Sequence, residues 1–227
     1  MLRKLKVIVV VVMFIVLVIA GGGVYVLYKF GSGLPDYKQL ADYEPPITTR
    51  VHAGDGRLLA EYAEQKRVFV PQDVMPRLVI QAFLSAEDKN FFYHPGIDPL
   101  SIARAIISNV KNILSGRRLV GASTITQQVA KNFLLTADVT VERKIKEAIL
   151  AFRIERALDK ERILELYLNE IYLGFGSYGV AAAALNYFNK SLDRLTLDEA
   201  AFLAALPKAP NNYNPFNYPN AALERRN

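Results

Sequence analysis

The sequence predicts a mainly α-helical protein: an N-terminal membrane-crossing helix, a short β-hairpin region, and a helical domain. Three observations carry that reading. No charged residue occurs between Val7 and Tyr28. Residues of β type flank a Gly54-Asp55-Gly56 turn within the stretch from Ile47 to Val70. Beyond residue 76, apolar residues recur at helical spacing with no comparable strand pattern.

The run from Val7 to Tyr28 is long enough to cross a hydrocarbon layer about 30 Å thick, whereas the apolar core of a cleaved signal peptide has only about 7–15 residues. Ala20-Gly21-Gly22-Gly23 offers small residues for cleavage, but the apolar run continues past them through Val24, Tyr25, Val26, Leu27 and Tyr28. Arg3, Lys4 and Lys6 precede the run, so the positive-inside rule places the N-terminus in the cytoplasm and everything after Lys29 on the far side. Gly31-Ser32-Gly33, Leu34-Pro35 and Pro45-Pro46 then read as an extended connector. The Gly54-Asp55-Gly56 turn predicts two or three short strands around it. The predicted organisation is residues 1–30 as cytoplasmic tip and anchor, 31–75 as linker with a hairpin, and 76–227 as the catalytic domain.

Asp98 before Pro99 is a helix start, followed by Leu100, Ala103, Ile107, Val110 and Leu114 at helical spacing. Ser123 is the expected cap of the next helix, and Thr140 or Asp138 of the one after. In that third helix Ile145, Ala148, Ile149 and Phe152 form one face, while Arg143, Glu147, Leu150 and Ile154 form the other. Asp159 starts a further helix, and Thr196-Leu197-Asp198-Glu199 is a capping box for a helix that Pro207 ends.

With no cysteine, the chain has no disulfide framework and no thiolate metal site. The net charge of +6 favours an anionic partner. An exported domain does not meet nucleic acid, which leaves anionic lipid head groups or a phosphate-bearing substrate.

Two motif matches lack the context they need. Gly174-Phe175-Gly176-Ser177-Tyr178-Gly179 fits a dinucleotide fingerprint but follows a helical pattern instead of a strand, so a flexible loop near the substrate is the better expectation. Ser108-Asn109-Val110-Lys111 has the penicillin-reactive spacing, but the chain has no Lys-Thr-Gly partner. The two histidines, His52 and His94, have no second ligand at useful spacing.

Glu87 and Asp88 are followed by Phe91, Phe92 and Tyr93, and aromatic surroundings exclude water and raise the basicity of a carboxylate. A second carboxylate, Glu147, lies in the cationic run Arg143-Lys144-Ile145-Lys146. A base for a sugar hydroxyl, plus cations for an anionic leaving group, is the equipment for moving a glycosyl unit off a phosphate. Gly121-Ala122-Ser123-Thr124-Ile125-Thr126-Gln127-Gln128 concentrates hydroxyls and amides at a helix start, with Lys131 further along the same helix. Such a start caps a helix and also suits an anion or sugar.

Four ordered motifs resemble those of the peptidoglycan glycosyltransferases: Glu87-Asp88-x-x-Phe91-x-x-His94-x-Gly96, Gly121-x-Ser123-Thr124-x-x-Gln127-Gln128, Arg143-Lys144-x-x-Glu147 and Ile163-Leu164-Glu165-x-Tyr167-Leu168-Asn169. The resemblance implies a lysozyme-like α fold and polymerisation of lipid II into glycan strands at the bacterial inner membrane. It gives Glu87 the role of general base and Glu147, with Arg143, Lys144 and Lys131, the organisation of the pyrophosphate. It implies that Asp88, Phe91, His94, Arg104, Ser123, Thr124, Gln127 and Gln128 bind substrate. A divalent cation, magnesium or manganese, commonly assists in this family, and other wall-synthesis proteins of division or elongation are the expected partners along with membrane lipids. Two departures stand out: Val139 occupies a position often basic in relatives, and the family's fifth motif begins at Arg225-Arg226, so against the family pattern the last part of the domain and a transpeptidase domain are not in this sequence. A wall-cleaving lysozyme-like enzyme and an inactive membrane-anchored scaffold are the competing readings.

Overall fold

The computed structural model describes residues 2–43, 49–55, 57–62, 66–116, 120–136, 138–213 and 215–226. Pro45, Pro46, Gly56, Arg117, Arg118 and Leu119, on which parts of the sequence reading rest, lie outside the described residues. Helices dominate. The first, α1 (Leu2–Gly31), contains one stretch, Val9–Gly31, long and apolar enough to cross a membrane, with mean hydropathy 2.8 and no burial against the rest of the chain. Its last residue is tied to the domain, because Arg153 donates to the Gly31 carbonyl at 3.1 Å.

Strand β1 (Thr49–His52) pairs antiparallel with β2 (Leu58–Tyr62), with a register shift between Val51 and His52. Strand β3 (Lys66–Arg67) and α2 (Arg77–Glu87) follow. Then come α3 (Pro99–Leu114), α4 (Ile125–Leu134), α5 (Val141–Ala157) and α6 (Lys160–Glu170). After α6, β4 (Ser177–Tyr178) leads into α7 (Val180–Phe188), α8 (Leu197–Ala205) and α9 (Pro219–Arg226).

Strand β4 pairs parallel with β3, a two-residue exception in a region that is otherwise nearly all α, as expected. Two residues are too short to leave a period of two in the sequence. The pair is held from the side: Arg67 bonds Glu170 at 2.9 Å and lies 4.9 Å over the Tyr178 ring.

Helix starts follow local capping chemistry. Asp98 accepts from Leu100 and Ser101 N–H at 2.9 and 3.1 Å, Asp159 accepts from Arg162 N–H at 2.8 Å, and Thr196 with Glu199 forms the capping box. Helix α4 is capped by Thr124, not by Ser123, because Gln127 stands three residues on and bonds back to the Thr124 N–H at 3.0 Å. Thr140 caps α5. On α5 the Glu147, Leu150 and Ile154 face is the buried one, joined by Ile149 and Ala151, while Phe152 of the other face is exposed. Leu150 and Ile154 repeat on the Glu147 side and carry that side into the core.

The core joins Val79 and Phe83 of α2, Ile125 and Val129 of α4, Leu150 and Ile154 of α5, Ile163, Leu164 and Leu168 of α6, and Leu203 of α8, all fully buried. Each of those residues removes an apolar side chain from water, worth about 1.5–3 kcal/mol. Segment Gly174–Gly179 is hydrogen-bonded and packed, contrary to the expected flexible loop. Leu173 N–H donates to Ser177 O at 3.0 Å and Gly179 N–H to Ile171 O at 2.9 Å. At Gly179, φ is +79° and a Cβ would stand 2.5 Å from the Asn169 carbonyl oxygen, so only glycine fits.

The fourth motif works largely as a clamp on the segment leading into the domain. Asn169 donates to Val70 O at 2.9 Å and accepts from Val70 N–H at 2.8 Å, and it also donates to Glu165 O at 2.9 Å. Glu165 accepts from Gln72 N–H at 2.8 Å, and Arg162 donates to Tyr43 O at 2.9 Å. Asn169→Ala should therefore cost about 2 kcal/mol by leaving a Val70 backbone donor and acceptor unpaired. A urea midpoint unchanged from wild type would show that water replaces the clamp without loss.

Candidate active site

Three helix termini meet around a cleft of about 520 Å³. The C-terminus of α2 supplies Glu87, the start of α4 supplies Ser123, Gln127 and Gln128 with Lys131 in its last turn, and the first two turns of α5 supply Arg143, Lys144 and Glu147. Pro207 and Lys208, just after α8, close the remaining side. Sequence reasoning missed these two. Nothing local marks them, since they reach the cleft only because α8 packs along α2.

The two carboxylates sit in different surroundings. Glu87 is half-buried, and its Oε2 accepts from Gln128 Nε2 at 2.8 Å. Glu147 is 2% exposed and pays for that burial with paired charge: Arg143, one turn earlier, and Lys144, at 2.6 Å, both donate to it. Lys144 also donates to Ser123 Oγ at 2.7 Å, which joins α5 to the α4 start. Burial pushes the Lys131 ammonium below its ordinary range, and the charges of Arg143 and Lys144 act in the same direction, against Glu147 and Glu87. An anionic ligand would offset that burial cost, so the cluster is poised to receive negative charge.

The remaining motif residues build the walls. Asp88 is buried; both its oxygens lie 3.0 Å from His94 Nε2, and Oδ2 accepts from Ile125 N–H at 3.0 Å. His94 Nδ1 accepts from Gly96 N–H at 3.2 Å, and Thr124 Oγ1 donates to Gly96 O at 2.6 Å. Gly96 itself has φ +94°, and a Cβ there would meet the Ala151 carbonyl oxygen at 2.8 Å. Phe91 is fully buried beneath the Lys160 ammonium, 4.4 Å from its ring centre. The structure thus moves Asp88, Phe91, His94 and Thr124 from the lining of the cleft to the frame that fixes α4 on α5. Arg104 is also outside the lining, on the exposed side of α3, bonded to Ser101 Oγ at 2.9 Å. Val139 is exposed in the loop before α5 and lines no part of the cleft.

Among the described residues no three histidine or carboxylate side chains converge on a metal position. The two cleft carboxylates do not make a three-donor set, and Glu147 is committed to Arg143 and Lys144.

A single cleft that pairs one accessible carboxylate with a nest of cations belongs to group transfer at an anionic substrate. The comparison with known families agrees: the transglycosylase family profile matches residues 55–227, and the chain belongs to that family. It is similar to penicillin-binding protein 1A of Rickettsia felis, 59% identical over 191 residues, covering 84% of this chain and 24% of the relative. Penicillin-binding protein 1A of Aquifex aeolicus is 56% identical over 86% of this chain, and that of Escherichia coli is 47% identical over 91%. The chain spans about a quarter of the length of these curated relatives. A solved chain, penicillin-binding protein 1A from Haemophilus influenzae, matches 81% of this chain and 17% of its own length at 29% identity, with a TM-score of 0.40.

Proposed function

We propose that this chain is a membrane-anchored peptidoglycan glycosyltransferase that polymerises lipid II by inverting transfer, releasing undecaprenyl pyrophosphate. The observation that carries the proposal is the division of the cleft into a carboxylate held by Gln128 and a cationic cluster of Lys131, Arg143 and Lys144. Glu87 takes the proton from the 4-hydroxyl of the acceptor sugar as its oxygen bonds to the donor's anomeric carbon. The bond from that carbon to the phosphate oxygen breaks, and the electron pair leaves on the pyrophosphate. Its charge is met by the three cations, so the leaving group needs no proton. Direct displacement inverts the anomeric centre from α to β. A wall-cleaving enzyme has no such use for the cations. The experiment is incubation of the protein with lipid II and, separately, with intact wall: glycan polymer supports the proposal, and soluble muropeptides without polymer would replace it.

Residues 1–30 serve as a single-pass anchor with a cytoplasmic N-terminus, and residues 31–75 as the spacer to the catalytic unit. A lipid-linked donor also asks for a cleft near the head-group plane. The apolar side chains Leu100, Ile106, Ile107, Val110, Ile113 and Leu114 of α3 are exposed, as are Phe92 and Tyr93, and Lys111 sits among them. That face meets the bilayer interface in this proposal. A variant beginning after Pro35 should still sediment with anionic vesicles at low salt, and Ile106→Asp with Ile113→Asp should reduce the bound fraction several-fold. A variant that ignores such vesicles would leave the anchor as the sole membrane contact.

A further inference from the structure

Tyr167 belongs to the fourth motif, yet it takes no part in the clamp made by its neighbours Glu165 and Asn169. It is 1% exposed, one of the largest fully buried side chains of the protein, and its ring packs edge-on against Phe83 with centroids 6.3 Å apart. Phe83 lies one helical turn before Glu87 on α2, so the two share a face. Among the described residues the Tyr167 hydroxyl has no hydrogen-bond partner. A buried hydroxyl left unpaired costs stability, and phenylalanine would fill the same space without that cost.

The surroundings say what the hydroxyl can serve. Burial is the main reason its ionisation is pushed well above the ordinary tyrosine range, and the charges of Glu87 and Asp88 add to it. The hydroxyl therefore stays protonated, a donor within electrostatic reach of two carboxylates. Asp88 already accepts from His94 and Ile125 N–H. Glu87 is the carboxylate that must change its protonation state in the reaction.

Resting on the reading of Glu87 as general base, we propose that Tyr167 is a positioning residue whose hydroxyl donates to Glu87 through one bridging water and holds it ionised and aimed into the cleft. Tyr167 is buried against Phe83, one turn before the base on α2, while Gln128 of the cleft lining donates to the base at 2.8 Å. The other charged groups around Glu87 are Asp88 beside it, Lys131 on α4, Glu147, Arg143 and Lys144 on α5, and Lys208 beyond α8. None of these is removed by changing Tyr167, so the effect of the hydroxyl can be read alone. A donor to a carboxylate favours its ionised form, and losing it favours the protonated form.

The test is Tyr167→Phe in the full chain, with kcat and KM for lipid II measured across pH and the thermal midpoint measured in parallel. The expected result is a midpoint equal to or above wild type, an unchanged KM, and an acid-side inflection of kcat moved upward by about one pH unit. That shift is about a tenfold loss of rate on the acid side, recovered as pH rises. A hydroxyl that only fills space would leave the pH profile where it was, and that outcome would overturn the proposal. A fall in midpoint with kcat reduced equally at every pH would also overturn it, by making Tyr167 a packing residue. Glu87→Gln in the same assay keeps the two readings apart. If Glu87→Gln is inactive and Tyr167→Phe is unchanged, the base stands and the positioning role falls. If Glu87→Gln retains full activity, the base assignment itself fails, and the positioning role falls with it.

Discussion

Glu87→Gln is expected to abolish lipid II polymerisation, by about 10³-fold or more, while leaving the thermal midpoint within a degree or two of wild type. The substitution replaces one oxygen by an amide nitrogen and keeps an oxygen that can still accept from Gln128 Nε2, so the local frame is retained. What is lost is the capacity to take a proton, and general-base contributions run to about 10²–10⁴. Glu87 is half-buried and is one of two carboxylates whose charge favours the Lys131 ammonium, and Glu147 remains in place for that purpose in the variant. Initial rates of glycan formation, with circular dichroism on the same samples, read both quantities. Activity above about a tenth of wild type would remove Glu87 from the base role. Loss of activity together with unfolding would mean that the carboxylate has a structural task instead.

Much of the frame was legible because the signals were local. Asp98 ahead of Pro99, Asp159, and the Thr196 to Glu199 box each cap the helix that their sequence announces. The error at α4 was a choice between adjacent hydroxyls. It is settled by Gln127, which completes a box with Thr124 and cannot with Ser123. Non-local features were less accessible. Strands β3 and β4 have two residues each and meet across most of the domain, so no periodicity marks them. The burial of Glu147 was legible only in part: a carboxylate between basic residues usually reads as a solvated face, although the spacing puts it on one face with Leu150 and Ile154. Only the packing of Leu150 and Ile154 on its own side draws it inward. In the first motif the resemblance gives Glu87 the base role and Asp88, Phe91 and His94 the binding of substrate. The structure separates them by burial: Glu87 lines the cleft, Asp88 and His94 brace the start of α4, and Phe91 fills the core beneath Lys160.

Glu147→Ala is expected to damage stability and activity together, the opposite signature from Glu87→Gln. Its side chain is 3% exposed and neutralises Arg143, itself 17% exposed, as well as Lys144. Removing one partner of a buried pair typically costs about 3–5 kcal/mol, because the remaining charge is left desolvated. The lower end, about 3 kcal/mol, applies here, since Lys144 is 45% exposed and can turn toward water. In turning it would release Ser123, and the α4 start would lose one of its ties to α5, keeping that of Thr126 to Glu155. The pyrophosphate cluster would then be both over-charged at rest and poorly aimed, so kcat/KM should fall by at least about 10²-fold. Glu147→Gln keeps acceptor oxygen for one of the two cations and should lose less of both. The double variant Arg143→Met with Glu147→Met separates the two effects. Replacing the buried pair by apolar groups of similar length should restore much of the urea midpoint lost in Glu147→Ala, while polymerisation stays low because a cation for the leaving group is gone. Recovery of polymerisation along with the midpoint would mean that the pair serves the fold alone, leaving the leaving group to Lys131 and Lys144.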